Sequence, residues 1–469
     1  MISRLRDWHA TTSAQTLSAH RAASLRIAVA TVWLVELIHL RPWHEELYDL
    51  VIPGQSFVFD LWIVATIALL VGFRPRLAAA ISFACFVLFF TLGQVIYHID
   101  LVAQITTFYL MFTDSSAVWS VDSILRRRRG QPAKSRVWAF PVVMLLLHMS
   151  MVYLDAGLSH LMFNPSWVQG AAVWASWGHP QWTTTLAAQL LGFPLLGQAA
   201  TYATIVFELT FWLVAAWVLA DLRARSRVAI LCFTAILGLQ LGIVISYDIG
   251  LFSPFMIAVA VPYLPWERLG SRAIDRTIRT DAIDATDGTD ARGMHLIVAG
   301  LTVVVAMSLL ATPPLVAWGE SPSGPRIPVL ILRTSLRLVG DVKPHNVFSD
   351  QVVGLVVSAR ILDTRGDERR VLFGDRSERI GDMTYVRGYM VVEQMLRDDV
   401  ATPPEAYRVI RPFLQRAADR GELGAGTFTV VVRARARLPA GAAIEGRELF
   451  RFNVTPAGQV IREPDEARP

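Results

Sequence analysis

Long apolar stretches separated by short polar turns recur along the first part of the chain. They fall at roughly 24–40, 57–73, 77–97, 100–119, 137–159, 200–220, 227–246, 250–265 and 295–312. A bilayer core of about 30 Å takes about 20 helical residues to cross, so each stretch predicts a spanning helix. The loop at 160–199 breaks the rhythm. It is long, carries Trp167, Trp174, Trp177 and Trp182, and holds a further apolar stretch at 185–199. That combination predicts an interfacial or re-entrant segment with indoles at headgroup depth.

Beyond about residue 318 the period changes. Thr427–Arg437 alternates, with Phe428, Val430, Val432, Ala434 and Ala436 on one face and Thr429, Val431, Arg433, Arg435 and Arg437 on the other. Such alternation predicts a strand with one side buried. Residues 327–338, 352–363, 369–374 and 449–454 also read as strands, and Thr402-Pro403-Pro404-Glu405 is a capping box opening a helix that runs to about Arg420. The predicted fold is an all-α polytopic membrane helix bundle of about nine transmembrane helices at 1–317. An α+β soluble domain follows at 318–469.

Charge sets the expected orientation. The chain is 53% hydrophobic and 18% charged, with mean hydropathy +0.42. The net charge of +5 does not indicate nucleic acid, because the cations sit in short runs between apolar stretches. Arg4, Arg6, Arg21 and Arg26 precede or open the first span, and Arg74 and Arg76 fill the second loop. Arg126–Arg129, Lys134 and Arg136 fill the fourth, and Arg223, Arg225 and Arg227 the sixth. The alternate loops are almost free of cations. The positive-inside rule then predicts a multi-pass cell-membrane protein with a cytoplasmic N-terminus, a retained first helix and an extracytoplasmic tail domain.

Ionisable residues within apolar spans are costly and mark candidate chemistry. Here they are Glu36, Asp60, His148, Asp155 and Glu208, while His39, His98, Asp100, His160 and Asp248 fall at the expected outer face. His148, Asp155 and Ser159 recur at steps of seven and four, which places them on one helical stripe. Plainer roles stay open for each. Glu36 and Glu208 suit interhelical hydrogen bonding, Asp60, Asp100 and Asp248 suit hydration or capping, and His39, His44 and His179 suit the interface. No HxxxH or HExxH spacing supports a metal, and no P-loop, GxGxxG or GxSxG is present. Cys85 and Cys232 lie in apolar spans and read as buried hydrophobes.

Tyr153-Leu154-Asp155-Ala156-Gly157-Leu158-Ser159-His160-Leu161, followed by Pro165-Ser166-Trp167-Val168-Gln169-Gly170-Ala171-Ala172-Val173, resembles the Y-x-x-A-G-L-x-K-L … P-x-W-x-x-G-x-A-V segment of the HTTM (horizontally transferred transmembrane) family. The best-known member of that family is the vitamin K-dependent gamma-carboxylase. His98-Ile99-Asp100-Leu101, Trp119-Ser120-Val121-Asp122 with its Arg run, Leu25-Arg26-Ile27 and Glu208 are also similar to the family. The resemblance spans roughly 20–315, with a looser echo at Leu332-Arg333-Thr334 and Asn346-Val347-Phe348.

The resemblance implies a reduced naphthoquinone (menaquinol or reduced vitamin K) in the bundle, deprotonated by a lysine, and a protein or peptide substrate carboxylated at glutamate. The chain departs from this pattern. His160 stands where the lysine is expected, Gln240 corresponds to a family histidine, and the only lysines are Lys134 and Lys343. Imidazole, with an ordinary pKa of about 6.5, is a weaker base than an amine but is free to accept a proton near neutrality.

Two readings follow. The first is a quinol-dependent, carboxylase-like enzyme with His160 as base, oriented by Asp155 or Asp100 beside His98. Trp167, His148, Ser159, Gln240 and Glu208 would bind the ligand, and no metal is involved. The second is a non-catalytic membrane binding or assembly protein on the same scaffold. The expected partners are the lipid bilayer, a lipophilic quinone and an extracytoplasmic protein or peptide, with no nucleic acid.

Overall fold

The computed structural model describes residues 15–44, 54–92, 98–178, 183–222, 225–266, 298–300, 302–303, 355–373, 410–411, 414–415, 417–436 and 447–462. The helices of the first part are α1 (Ala19–Leu40), α2 (Gln55–Val71), α3 (Pro75–Leu92), α4 (His98–Leu110), α5 (Val121–Arg128), α6 (Phe140–Phe163), α7 (Pro165–Val168), α8 (Ala172–Trp177), α9 (Thr185–Gln189), α10 (Pro194–Leu219), α11 (Ser226–Ser246) and α12 (Phe252–Ala260). Four of them, α1, α6, α10 and α11, are long and apolar enough to cross a membrane, while α2 and α3 are shorter apolar helices.

Local chemistry sets the helix ends. Ser18 caps α1 by accepting the His20 N–H. Proline opens α3 and α10, where a missing N–H costs nothing. Gly72, in the left-handed region at φ 71°, closes α2. The short strands β1 (Thr16–Ser18) and β2 (Arg136–Trp138) pair antiparallel and tie the start of α1 to the start of α6.

Helix α6 is the hub. It is buried along nearly its whole length, and it packs against α10 and α4. The outer faces of α10 and α11 instead expose Leu195, Val206, Leu213, Trp217 and Leu231. An apolar outward face with a filled interior is the pattern a lipid solvent permits, since exposed apolar side chains there carry no cost.

The predicted fourth span, 100–119, is helical only to Leu110. Beyond it, Thr113, Ser115 and Ser116 are buried, and the chain leaves helical geometry. Arg26 explains why this is tolerated. Its fully buried guanidinium donates to the carbonyls of Ser115 (3.2 Å), Leu69 (2.8 Å), Leu70 (2.6 Å) and Trp119 (2.5 Å). Buried carbonyls that a regular helix would satisfy internally are satisfied here by one cation.

The loop expected at 160–199 is shorter, because α6 runs on to Phe163 and α10 already begins at Pro194; the described residues between them form α7, α8 and α9 and dock on α10. Gly197 lies so close to α8 that an added Cβ would meet the Trp174 Cβ at 2.4 Å. The Val173 N–H donates to Thr201 Oγ1 at 3.1 Å, and Trp174 Nε1 donates to the Leu191 carbonyl at 3.0 Å.

In the tail, β3 (Leu355–Asp363), β4 (Glu368–Phe373), β5 (Gly426–Ala436), β6 (Arg447–Val454) and β7 (Val460–Arg462) form an antiparallel sheet in the order β4-β3-β5-β6-β7. The strands expected at 352–363, 369–374, 427–437 and 449–454 are present within a few residues. Phe428 and Val430 are buried with Ile361, Phe452 and the helical residues Ile410, Leu414 and Ala417, as the alternation of β5 requires. Val432 pairs through its backbone with Ala359 and Arg447. Gln415 ties these helical residues to the β6–β7 hairpin, donating to the Gly458 carbonyl and accepting from the Val460 N–H. The strand expected at 327–338, the capping box at Thr402–Glu405 and most of the ninth span, 295–312, lie outside the described residues.

Candidate functional site

The C-terminal half of α6 carries the residues that sequence reasoning singled out. Asp155, Ser159 and His160 are all buried there, and His148 is buried one stretch earlier. Three residues before His160, Gly157 faces α10. An added Cβ would meet the Glu208 Cβ at 2.9 Å and Leu209 at 3.2 Å, so the missing side chain lets the two helices approach. The approach brings Glu208 to His160: Nε2 and Oε2 are 3.8 Å apart, and both side chains are nearly inaccessible. That distance is too long for a hydrogen bond, yet short enough for a charge on one group to be felt by the other.

The other wall is aromatic. Asn164 ends α6 and donates from Nδ2 to the Ser159 carbonyl, and Pro165 then starts α7. This reversal lays the Trp167 indole on the His160 ring, with centroids 3.8 Å apart and planes 14° from parallel. Gly170 continues the loop at φ 76°, where an added Cβ would strike the Tyr202 ring at 2.8 Å. The Gly and Trp positions quoted for the family resemblance thus each have a mechanical reason in this chain.

His160, Trp167 and Glu208 therefore form one cluster. Two other predicted site residues have different neighbours. His148 Nδ1 is 3.1 Å from the Tyr109 hydroxyl, with the rings edge to face. Gln240 donates from Nε2 to the Tyr153 hydroxyl at 3.1 Å. Among the described residues, Glu208 Oε2, Gln240 Oε1 and Ser159 Oγ are buried without a hydrogen-bond partner. Such groups are costly in an apolar interior, and they mark where a polar ligand atom could bind.

Several readings of single residues change. Asp100 is fully buried, so it is not a hydrated helix end. Its element starts inside the protein rather than at its surface, because Ile99 and Val102 are also fully buried. Asp60 is exposed and held by Arg41, with Nε–Oδ1 at 2.5 Å and Nη2–Oδ2 at 3.0 Å. His44 is buried rather than interfacial, with Nε2 3.0 Å from Ser56 Oγ and Nδ1 2.7 Å from the Arg41 carbonyl. Glu36 is buried, His39 is exposed, and His98 and Asp248 are partly buried, with the His98 ring 6.3 Å from that of Phe252. His179 lies outside the described residues. Among the described residues, no group of three His, Cys, Asp or Glu side chains is arranged to hold a metal ion.

Sequence reasoning missed Tyr109, Tyr153 and the Gly157 contact. Tyr153 and Gly157 belong to the quoted motif, but only the packing of α10 and α11 against α6 shows what they do.

Comparison with known proteins bears on the same region. No curated protein and no solved structure matches the chain. The model of the HTTM domain matches residues 42–266, an interval that contains α6, α7, α10 and the whole His160–Trp167–Glu208 cluster. The chain therefore carries an HTTM domain over residues 42–266, the family its sequence motifs resemble.

Proposed function

We propose that the HTTM bundle binds a lipophilic ligand whose polar head meets His160, Glu208 and Trp167, and that the ligand is a reduced naphthoquinone. The observation that carries this reading is a buried imidazole–carboxylate pair beside an indole face, in a bundle that leaves Glu208 Oε2, Ser159 Oγ and Gln240 Oε1 without partners among the described residues. Those unsatisfied oxygens suit the hydroxyl groups of a quinol, while Trp167 backs the imidazole. A bound naphthoquinol supplies an acidic phenolic hydroxyl and two reducing electrons. In this chain His160 accepts the proton, Glu208 stabilises the imidazolium that results, and the apolar surroundings exclude water. Asp155, one helical turn before Ser159 on α6, or Asp100, beside His98, orients the His160 imidazole.

The topology proposed with it is nine spans, a cytoplasmic N-terminus and an extracytoplasmic 318–469 domain. The segregation of Arg74, Arg76, Arg126–Arg129 and Arg223–Arg227 into alternate loops supports it. A protein or peptide substrate would then reach the site from the side of that domain.

A second reading has its own observation. The His160 ring is stacked face-on and almost fully covered, which also suits a packing role in a non-catalytic binding protein. Mass spectrometry of solvent extracts from the purified chain, paired with oxygen uptake on adding reduced naphthoquinone, separates the two. Bound quinone with oxygen-dependent turnover is expected. Quinone without turnover would leave the binding protein, and neither would overturn the ligand assignment.

A further inference from the structure

The α2–α3 turn and the start of α5 are distant in sequence but joined in the fold. The Arg74 N–H donates to Asp122 Oδ2 at 3.0 Å, and the Asp122 N–H donates back to the Gly72 carbonyl at 3.3 Å. Behind them, Ser120 lies against Gly72, and the Arg26 guanidinium closes the knot. Two non-glycine residues here sit in the left-handed region, Arg74 at φ 43° and Trp119 at φ 50°. Such strain persists only where the surroundings hold it.

Two exposed arginines, Arg74 and Arg76, lie in the turn, and three more, Arg127, Arg128 and Arg129, lie at the far end of α5, about 8–10 Å along the helix from Asp122. Among the described residues none of their guanidinium groups is ion-paired with a carboxylate. The neighbouring cations are already engaged, Lys134 with Asp114 at 3.8 Å, Arg126 with the Ser116 carbonyl at 2.5 Å, and Arg136 with Thr16. The last carbonyls of α5 accept the backbone N–H groups of Arg129, Gly130 and Gln131, so the guanidinium groups are not needed to cap it. Interleaved with them are the exposed apolar side chains of Phe73, Leu77, Trp119 and Ile124. The Arg74 guanidinium lies over the Phe73 ring at 5.8 Å, and guanidinium groups set in this way among aromatic and aliphatic side chains match a surface that is half headgroup and half acyl chain.

We propose that the Arg74–Arg76 turn and the Arg127–Arg129 end of α5 form one binding surface for the phosphates of anionic phospholipids in the surrounding leaflet. The guanidinium forks grip phosphate oxygens, Trp119 and Phe73 sit at the acyl boundary, and the Gly72–Asp122–Arg26 knot holds the two arginine sets together. This rests on the bundle lying in a membrane and is independent of the ligand assigned to His160.

The test uses the full chain in nanodiscs made from equal parts phosphatidylglycerol and phosphatidylcholine. Native mass spectrometry counts the lipids retained on release. Phosphatidylglycerol should be retained preferentially, and the preference should fall about five-fold for each arginine replaced in Arg74→Gln/Arg76→Gln or Arg127→Gln/Arg128→Gln/Arg129→Gln chains. A measurement on the unaltered chain guards against variants that fail to insert: raising sodium chloride to molar levels should erase the preference. Equal retention of the two lipids, or a preference indifferent to salt, overturns the proposal. So does full competition by soluble glycerol phosphate, which would make the site one for a free anion. A preference unchanged in both glutamine variants would move it elsewhere.

Discussion

Gly157 on α6 and Glu208 on α10 touch, with no room for even a methyl group between them. The contact sets the spacing of the two helices and, through it, the reach from Glu208 to His160. A Gly157→Val chain should therefore lose about 1–3 kcal/mol from overpacking. It should also lose whatever ligand the cluster holds, because the carboxylate is pushed off the imidazole. Thermal melting in detergent, read beside ligand retention, checks both. A lower melting temperature with unchanged retention would separate the contact from the site.

Much of the architecture was legible beforehand, and what was not has a physical cause. Hydropathy located α6 and α11 within a few residues and placed the starts of α1 and α10 too late, at 24 and 200 rather than Ala19 and Pro194, and alternation located β5, because each burial pattern repeats along a single element. The fourth span was read too long because Ala117 and Val118 look apolar, while the guanidinium that satisfies the irregular carbonyls of Ser115 and Trp119 comes from Arg26, 89 residues away from Ser115. The cluster was legible in its members and not in its pairing. His160, Trp167 and Glu208 all stand out in the sequence, which offers Asp155 or Asp100 to orient His160 and gives no sign that Glu208 comes within reach of it. The carboxylate recorded 3.8 Å from His160 Nε2 lies on another helix, and the glycine that admits it has no side chain to attract notice.

Arg26 offers a second prediction. Its four carbonyl partners come from the end of α2 and the segment after α4. Hydrogen bonds to a charged group contribute about 1.5–3 kcal/mol each, and leaving buried carbonyls unsatisfied adds a similar cost. Arg26→Leu should keep the apolar volume and still yield no monodisperse protein on size-exclusion chromatography. Arg26→Lys should rescue only part of the yield, since an ammonium lacks the planar fork that reaches carbonyls on opposite sides. A well-behaved Arg26→Leu chain would show that those carbonyls find other partners.

Acid should loosen one turn of the sheet selectively. Burial alone would raise the Asp363 carboxyl, but the Asp367 and Arg365 N–H groups and the Arg369 guanidinium outweigh it and hold it below the usual range. A depressed folded value means that the contribution is fully present above the unfolded aspartate value and is lost as pH falls through the folded one. Amide exchange across β3–β4 should therefore quicken as pH drops below about 4, once corrected for intrinsic chemistry. In Asp363→Asn the same amides should be less protected at pH 5 and show little further loss. Parallel acid profiles in the two chains would remove Asp363 as the cause.

The last prediction concerns His160, for which three accounts make different forecasts. If it caps the end of α6, its loss costs at most about 2 kcal/mol and nothing else changes. The geometry disfavours that account, because Asn164 already donates to the Ser159 carbonyl and the imidazole is stacked on Trp167 instead. If it is a packing residue, His160→Phe should preserve the stack and the melting temperature and leave bound quinone untouched. If it is the base, His160→Ala and His160→Phe should both abolish oxygen-dependent turnover while quinone still copurifies, since Trp167, Ser159 and Gln240 remain. His160→Lys then becomes the sharpest experiment, because it restores the residue that the family resemblance implies at this position. Facing Glu208 at the end of α6, the amine has a carboxylate to pair with when charged and can accept a proton when neutral. Turnover in the lysine chain at or above that of the unaltered protein, with none in the alanine and phenylalanine chains, is the expected pattern. Activity surviving in all three would take the proton away from position 160 and leave the cluster as a binding wall.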